Sequence, residues 1–164
     1  MTDYSAYVTR ISDLEQDLRK SLEFIGWTDI IRSDSRVFIK PNFTYPYYKK
    51  GVTTNPEFLR ALCGILRDRC DQIVIGESDG ANRSFTADGA FKGHGVDKIC
   101  QDLGVELVNL STLPSRYVEE TVQGKTVKVQ VPNILLDDID RFVSLPVLKV
   151  HAMTTITLSM KNLW

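Results

Sequence analysis

No apolar run in this chain approaches the roughly 20 residues that a membrane-spanning helix needs. Its opening stretch, MTDYSAYVTRISDLEQD, is polar and acidic, not a basic segment followed by an apolar one, so neither a membrane anchor nor a secretory signal is expected. Cysteine is scarce, with Cys63, Cys70 and Cys100 the only three and no CxxC pair among them. An odd, scattered set suits reduced thiols and a cytoplasmic location. It supplies no ligand cluster for zinc or for an iron–sulfur centre bound by this chain alone. An excess of one charge sign is lacking too. Twenty Lys and Arg face 21 Asp and Glu, for a formal net charge of -1. No global field therefore draws in nucleic acid or an anionic membrane, and any charged partner must be recognised locally. Two phosphate signatures are also missing. Without GxxxxGK[ST] there is no P-loop, and without GxGxxG no dinucleotide fingerprint.

What is present is an ordinary globular composition, 43% hydrophobic and 25% charged over 164 residues, which suits one α/β domain spanning residues 1–164. Leu14, Leu18, Leu22 and Ile25 recur at helical steps, with Ser12 as expected N-cap, Glu15 completing a capping box and Gly26 closing the helix. Val37, Phe38 and Ile39 form a short continuous apolar run, the pattern of a strand buried on both faces, and Pro41 stops it. The tyrosine- and lysine-rich stretch 42–54 reads as a loop. Residues 55–70 form the clearest helix, with Asn55 as N-cap and Pro56 in the first helical position, while Thr54 and Glu57 offer a capping box shifted by one.

A second strand at 73–75, a helix around Val96–Leu103 closed by Gly104 and a third strand at 105–110 then follow. Strand–helix–strand–helix–strand implies a mostly parallel open sheet with right-handed crossovers and flanking helices. Residues 117–122 and 126–131 flank Gln123-Gly124-Lys125 and read as a β-hairpin insertion or antiparallel edge. The stretch 134–139 is ambiguous. Residues 142–150 are expected to form a further strand interrupted by Pro146. The last segment, 154–164, alternates like a strand but also places Ile156, Met160 and Leu163 on one helical face. A helix is preferred, because a crossover should follow the strand before it. The chain ends at Trp164 without a capping glycine or polar tail, which raises the expectation of the front part of a longer domain.

The chemistry is expected at the carboxyl ends of the parallel strands, where open α/β sheets bind ligands. Lys40-Pro41-Asn42, Glu77-Ser78-Asp79 and Lys149-Val150-His151 are the three polar strand ends. Glu77, Lys149 and His151 are the candidate catalytic groups. Lys40, Asn42, Thr154, Lys161 and Asn162 are the candidate ligand-binding groups, and Glu77 with Asp79 is the candidate metal pair, magnesium being the expected ion. Each has a plainer reading: a solvated lysine, a turn-forming Asn42, carboxylates that cap helices, a structural histidine. His94, between Gly93 and Gly95, is expected in a helix-entry loop. Tyr45, Tyr47 and Tyr48 beside Lys49 and Lys50 make too small a footprint for nucleic acid and read as a lid over a pocket.

Several of these motifs resemble the domain of unknown function 362 family. They are Val37-Phe38-Ile39-Lys40-Pro41-Asn42, Thr54-Asn55-Pro56-Glu57, Ile75-Gly76-Glu77-Ser78, Leu145-Pro146-Val147-Leu148-Lys149-Val150-His151 and Thr157-Leu158-Ser159-Met160-Lys161-Asn162-Leu163. The resemblance runs from about Val37 to the end. It implies a bacterial or archaeal cytoplasmic protein. Some relatives carry a ferredoxin-like cysteine cluster after the domain, which this chain lacks, so an iron–sulfur role is not carried over. Relatives also continue past the Lys-Asn-Leu motif, and the family assigns no chemistry to the matching positions.

Three readings follow from the residues. One is an enzyme acting on a small anionic metabolite that bears phosphate or carboxylate. The second is a non-catalytic binding or accessory domain completed by a partner chain. The third is a truncated remnant.

Overall fold

The computed structural model describes residues 5–80, 83–151 and 155–163. Helix α1 (Leu14–Phe24) is followed by a single extra turn, α2 (Trp27–Ile30). Its N-cap is Asp13, not Ser12, and the Asp13 side chain accepts from the Gln16 N–H. Asp17, not Glu15, reaches back to take the N–H groups of Ser12 and Asp13. The first turn is thus closed by carboxylates, which also suit the positive end of the helix dipole. Gly26 ends α1 in the left-handed region at φ 62.

Strand β1 (Arg36–Lys40) leads through the long loop to α3 (Pro56–Arg67). Asn55 caps α3 by accepting from the Glu57 N–H, and Pro56 occupies the first turn, so the unshifted capping pattern is the one formed. Strand β2 (Gln72–Glu77) follows, and then two helices where one was expected, α4 (Ala87–His94) and α5 (Val96–Leu103). His94 therefore closes a helix instead of sitting in an entry loop. Gly95 and Gly104, both at positive φ, punctuate the pair. Strand β3 (Glu106–Asn109) completes the first half. Strands β4 (Ser115–Val122) and β5 (Lys125–Pro132) form a separate hairpin around Gln123 and Gly124, both at positive φ as a tight two-residue turn requires. The ambiguous stretch is helical, α6 (Asn133–Asp137).

Strand β6 (Arg141–Ser144) returns to the sheet, whose order is β3-β2-β1-β6 with every pairing parallel. The chain thus steps outward from β1 to β3 and comes back to pair on the other side of β1. The switch in direction falls between β1 and β6. The expected single strand over 142–150 is not formed. Leu145 makes one last bond, from its N–H to the Lys40 carbonyl, and Pro146, with no N–H to give, ends the pairing. Lys149–His151 forms strand β7 of a second antiparallel ribbon with β8 (Thr155–Thr157), so Lys149 does not end a strand of the main sheet. The terminal segment is part strand and part helix, with β8 followed by the short α7 (Ser159–Asn162).

Side chains of β1 and β2 alternate between two cores. Val37, Ile39, Ile73 and Ile75 pack with α1, α3, α4 and α5 through residues such as Leu18, Leu59, Leu62, Ala90 and Val96. Phe38 and Val74 point the other way, into a smaller cluster with Leu110, Val108, Leu113, Ile134 and Leu135. One sheet face is therefore thickly covered and the other thinly. Among the described residues no helix is long and apolar enough to cross a membrane.

Two helical glycines make opposite predictions. A Cβ at Gly93 in α4 would lie 1.8 Å from the Pro46 carbonyl oxygen, because the loop backbone rests directly on the helix. A Cβ at Gly64 in α3 would meet nothing within 4 Å. Gly64→Ala is expected to stabilise the fold by about 0.5–1 kcal/mol, through helix propensity and a less flexible unfolded chain. Gly93→Ala is expected to cost about 1–3 kcal/mol by pushing the loop off α4. Urea denaturation of both variants checks the pair, and equal midpoints would contradict the close packing.

Candidate functional site

Strand β1 is buried almost throughout, so the lysine at its end cannot stay in the ladder direction and remain solvated. Lys40 instead turns to Glu77 at the end of the neighbouring strand, Nζ to Oε2 at 2.6 Å, with side chains only 11% and 9% exposed. Glu77 is held further by the backbone. Its Oε1 accepts from the Phe43 N–H at 3.2 Å and its Oε2 from the Ser78 N–H at 3.1 Å. Both carboxylate oxygens are thus committed within the protein. Phe43 continues the contact outward: its ring stacks on His94 at 4.0 Å between centroids. His94 donates from Nδ1 to the Ala90 carbonyl at 2.7 Å, and its Nε2 has no partner among the described residues. Burial pushes its pKa down, so it is an apolar, neutral seat for the loop.

The crevice between β1 and β6 is bridged by Asn162 from α7. Its Nδ2 donates to the Lys40 carbonyl at 3.1 Å and to the Ser144 hydroxyl at 3.3 Å, while its Oδ1 accepts from Asn42 Nδ2 at 3.0 Å. Asn42 passes the chain of bonds on. Its Oδ1 accepts from Lys149 at 2.6 Å, and the same ammonium donates to Thr44 Oγ1 at 2.7 Å and the Val52 carbonyl at 2.6 Å. Thr54 ties the loop to β6 by accepting from the Asn42 N–H and donating to the Leu145 carbonyl. The Lys-Pro-Asn, Leu-Pro-Val-Leu-Lys and Lys-Asn-Leu stretches, far apart in sequence, therefore meet in one polar knot. The family model for a domain of unknown function (DUF362) matches residues 37–164, which contain every one of these groups. The chain belongs to the DUF362 family. No curated protein and no solved structure matches the sequence.

Around this knot the DUF362 domain encloses a cleft of about 230 Å³ lined by Lys40, Asn42, Thr44, Glu77, Asp79, Lys149, His151, Thr157, Lys161 and Asn162, among others. Ligand-binding candidates other than Thr154 thus share it with the candidate catalytic and metal groups, although Lys149 and His151 arrive on a ribbon and not on a sheet strand. Thr154 lies outside the described residues. Lys161 is exposed and makes no ion pair among the described residues. Asp79 sits at the start of α4, where its Oδ1 accepts from the Ala87 N–H at 2.8 Å and from Asn109 Nδ2 at 3.2 Å. Among the described residues no group of three or more His, Cys, Asp or Glu side chains converges as a metal cluster.

Lys149 differs electrostatically from Lys40. Its three acceptors are all neutral oxygens, and no carboxylate lies within ion-pair distance among the described residues. Burial pushes its pKa below the usual lysine value. The three cysteines take no part: all are buried and unpaired, and burial pushes the Cys63 and Cys100 thiols up to about 12.

Thr44, Val52 and Ser144 carry the knot but have no sequence signal that singles them out, since a carbonyl or hydroxyl contact leaves no periodicity, and Thr54 stands out in sequence only as a helix-start residue. Asn162 is the test of the knot's strength. It is 3% exposed, and Asn162→Ala leaves the Asn42 amide and the Lys40 carbonyl short of partners. The expected cost is about 1–3 kcal/mol, read from the urea midpoint. A midpoint equal to the parent's means that Asn162 is not seated in the crevice.

Proposed function

We propose that this DUF362 domain binds a small anionic metabolite, bearing phosphate or carboxylate, in the cleft beside Lys149. The observation that carries this reading is the Lys149 ammonium, which no carboxylate among the described residues compensates. A half-buried cation with only neutral partners is costly unless an anion completes it. The rest of the lining supports the same sign. Glu77 neutralises Lys40, which leaves Lys149 and Lys161 against Asp79, with His151 adjacent. The fold supports the location, because the cleft lies at the carboxyl ends of the parallel strands β1 and β2, beside the β1–β6 switch that Asn162 bridges.

Lys149 contributes charge more than hydrogen bonds, since its donors are spent on Asn42, Thr44 and Val52. Lys161 supplies the free donors. His151 is the group placed for proton transfer if the ligand reacts, and Asp79, with its second oxygen, is the one for a magnesium ion. A binding module without catalysis is the second reading. It is favoured by the engagement of both Glu77 oxygens, which removes that carboxylate as a free base or metal ligand. Buried, unpaired thiols suit a cytoplasmic setting for either.

Thermal denaturation with millimolar inorganic phosphate or citrate, each with and without magnesium, tests the reading. A saturable rise in melting temperature is expected with at least one anion, reaching about 2.7 kcal/mol of stabilisation at 100 times the dissociation constant. A further rise that needs both anion and magnesium assigns the cation. If none of the anions moves the transition, the reading is wrong.

A further inference from the structure

A second, larger cleft of about 870 Å³ opens on the thinly covered face of the sheet, between it and the β4–β5 hairpin. Lys40, Ser78, Asp79 and Gly80 line both clefts, so the two adjoin across the loop that follows β2. Their walls differ in kind. The smaller is ringed by lysines, amides and hydroxyls. The larger is walled by Leu110, Leu113, Val131, Leu135, Phe142 and Leu163. Phe142 is 42% exposed there, and its ring lies beside that of Phe38 at 5.2 Å, so the wall includes an aromatic surface left open to the cleft. Arg83 stands on the rim at φ 54, a backbone conformation uncommon outside glycine. It makes no ion pair among the described residues.

We propose that the larger cleft holds the apolar, planar body of the ligand whose anionic group sits beside Lys149, which makes the ligand class an aryl-bearing phosphate or carboxylate. This rests on the anion-binding reading of the smaller cleft. A volume of about 230 Å³ falls below the roughly 300–1,000 Å³ of sites that enclose a whole metabolite, whereas the adjoining cleft lies within that range. A mostly apolar wall with polar groups gathered at one end is the arrangement that orients an amphipathic molecule. Phe142 offers a ring for stacking, and Arg83 a planar guanidinium at the same rim.

Isothermal titration of the full chain with inorganic phosphate, phenyl phosphate and 1-naphthyl phosphate tests the idea. Affinity is expected to rise about tenfold or more from the first probe to the last, the worth of burying an aromatic surface. Phe142→Ala should remove most of that gain and leave inorganic phosphate unchanged. Gln130→Trp, on the exposed hairpin and facing the cleft lining, should block the aryl probes while the melting temperature stays near the parent's. If inorganic phosphate binds and the aryl phosphates bind no more tightly, this inference is overturned and the anion site stands. An aryl gain untouched by both substitutions also overturns it. If no probe binds, the anion reading itself falls and this one with it.

Discussion

Glu77→Ala is expected to lower the unfolding free energy by about 3–5 kcal/mol, the usual result of removing one partner from a buried ion pair. Lys40 would be left with its side chain 11% exposed and no carboxylate among the described residues to neutralise it. The Phe43 and Ser78 N–H groups would lose their acceptor at the same time. The loss does not mean that the pair itself stabilises the fold by that amount, because desolvating two charges offsets most of their attraction. A second variant separates the two ideas. Lys40→Met with Glu77→Leu removes both charges and keeps the volume, so the part of the loss that comes from the stranded ammonium should return, while the cost of the unpaired Phe43 and Ser78 N–H groups stays. Urea denaturation of Lys40→Met, Glu77→Leu and the double variant closes the cycle. A single variant as stable as the parent means that the pair is open in solution. Nonadditivity near zero means that the two residues do not act on each other.

Lys149→Met has the opposite profile, with little loss of stability and a large loss of anion affinity, on the order of 100-fold. The substitution costs three hydrogen bonds to neutral oxygens but relieves a half-buried charge that no carboxylate among the described residues balances. The pH dependence gives a sharper signature. Burial lowers the Lys149 pKa from its ordinary 10.5. Between the folded value and 10.5 the unfolded chain carries more protons than the folded one, so stability from this group rises with pH across that window. Below the window both states are protonated and the penalty is constant. Anion affinity runs the other way, since it needs the ammonium and falls as pH rises through the folded pKa. Lys149→Met should flatten both trends. Phosphate affinity that is unchanged in Lys149→Met, or that stays level into alkaline solution, removes Lys149 from the site.

Much of the architecture was legible because it is written in local terms. The apolar run Val37-Phe38-Ile39, the Asn55-Pro56 helix start, the Gln123-Gly124 turn and the capping glycines each specify their own few residues, and all formed where expected. The parallel sheet followed from their order. The errors fell where two local signals competed. Asp13 and Asp17 displaced Ser12 and Glu15 because the carboxylates reached the same donors. Pro146 marks an interruption within the apolar stretch 142–150, but only tertiary contacts send the residues beyond it into the β7–β8 ribbon instead of the sheet. A histidine between two glycines reads as loop until Phe43 and the carbonyl of Pro46 are packed against its helix.

By itself the sequence determined the class of fold, the identity of the polar clusters and the family signature, since composition, periodicity and turn chemistry act over a few neighbouring residues. Only the tertiary structure decided which charges are neutralised and which are left over. Lys40 and Lys149 look alike in the chain, both following an apolar run. Lys40 finds Glu77 37 positions away, while Lys149 finds, among the described residues, the neutral oxygens of Asn42, Thr44 and Val52 about a hundred positions back. The difference arises because β6 ends at Ser144, Pro146 stops any further pairing, and the chain turns into a ribbon over the β1–α3 loop. A lysine's partner is set by where the backbone carries it, and no pattern in the residues beside it records that path.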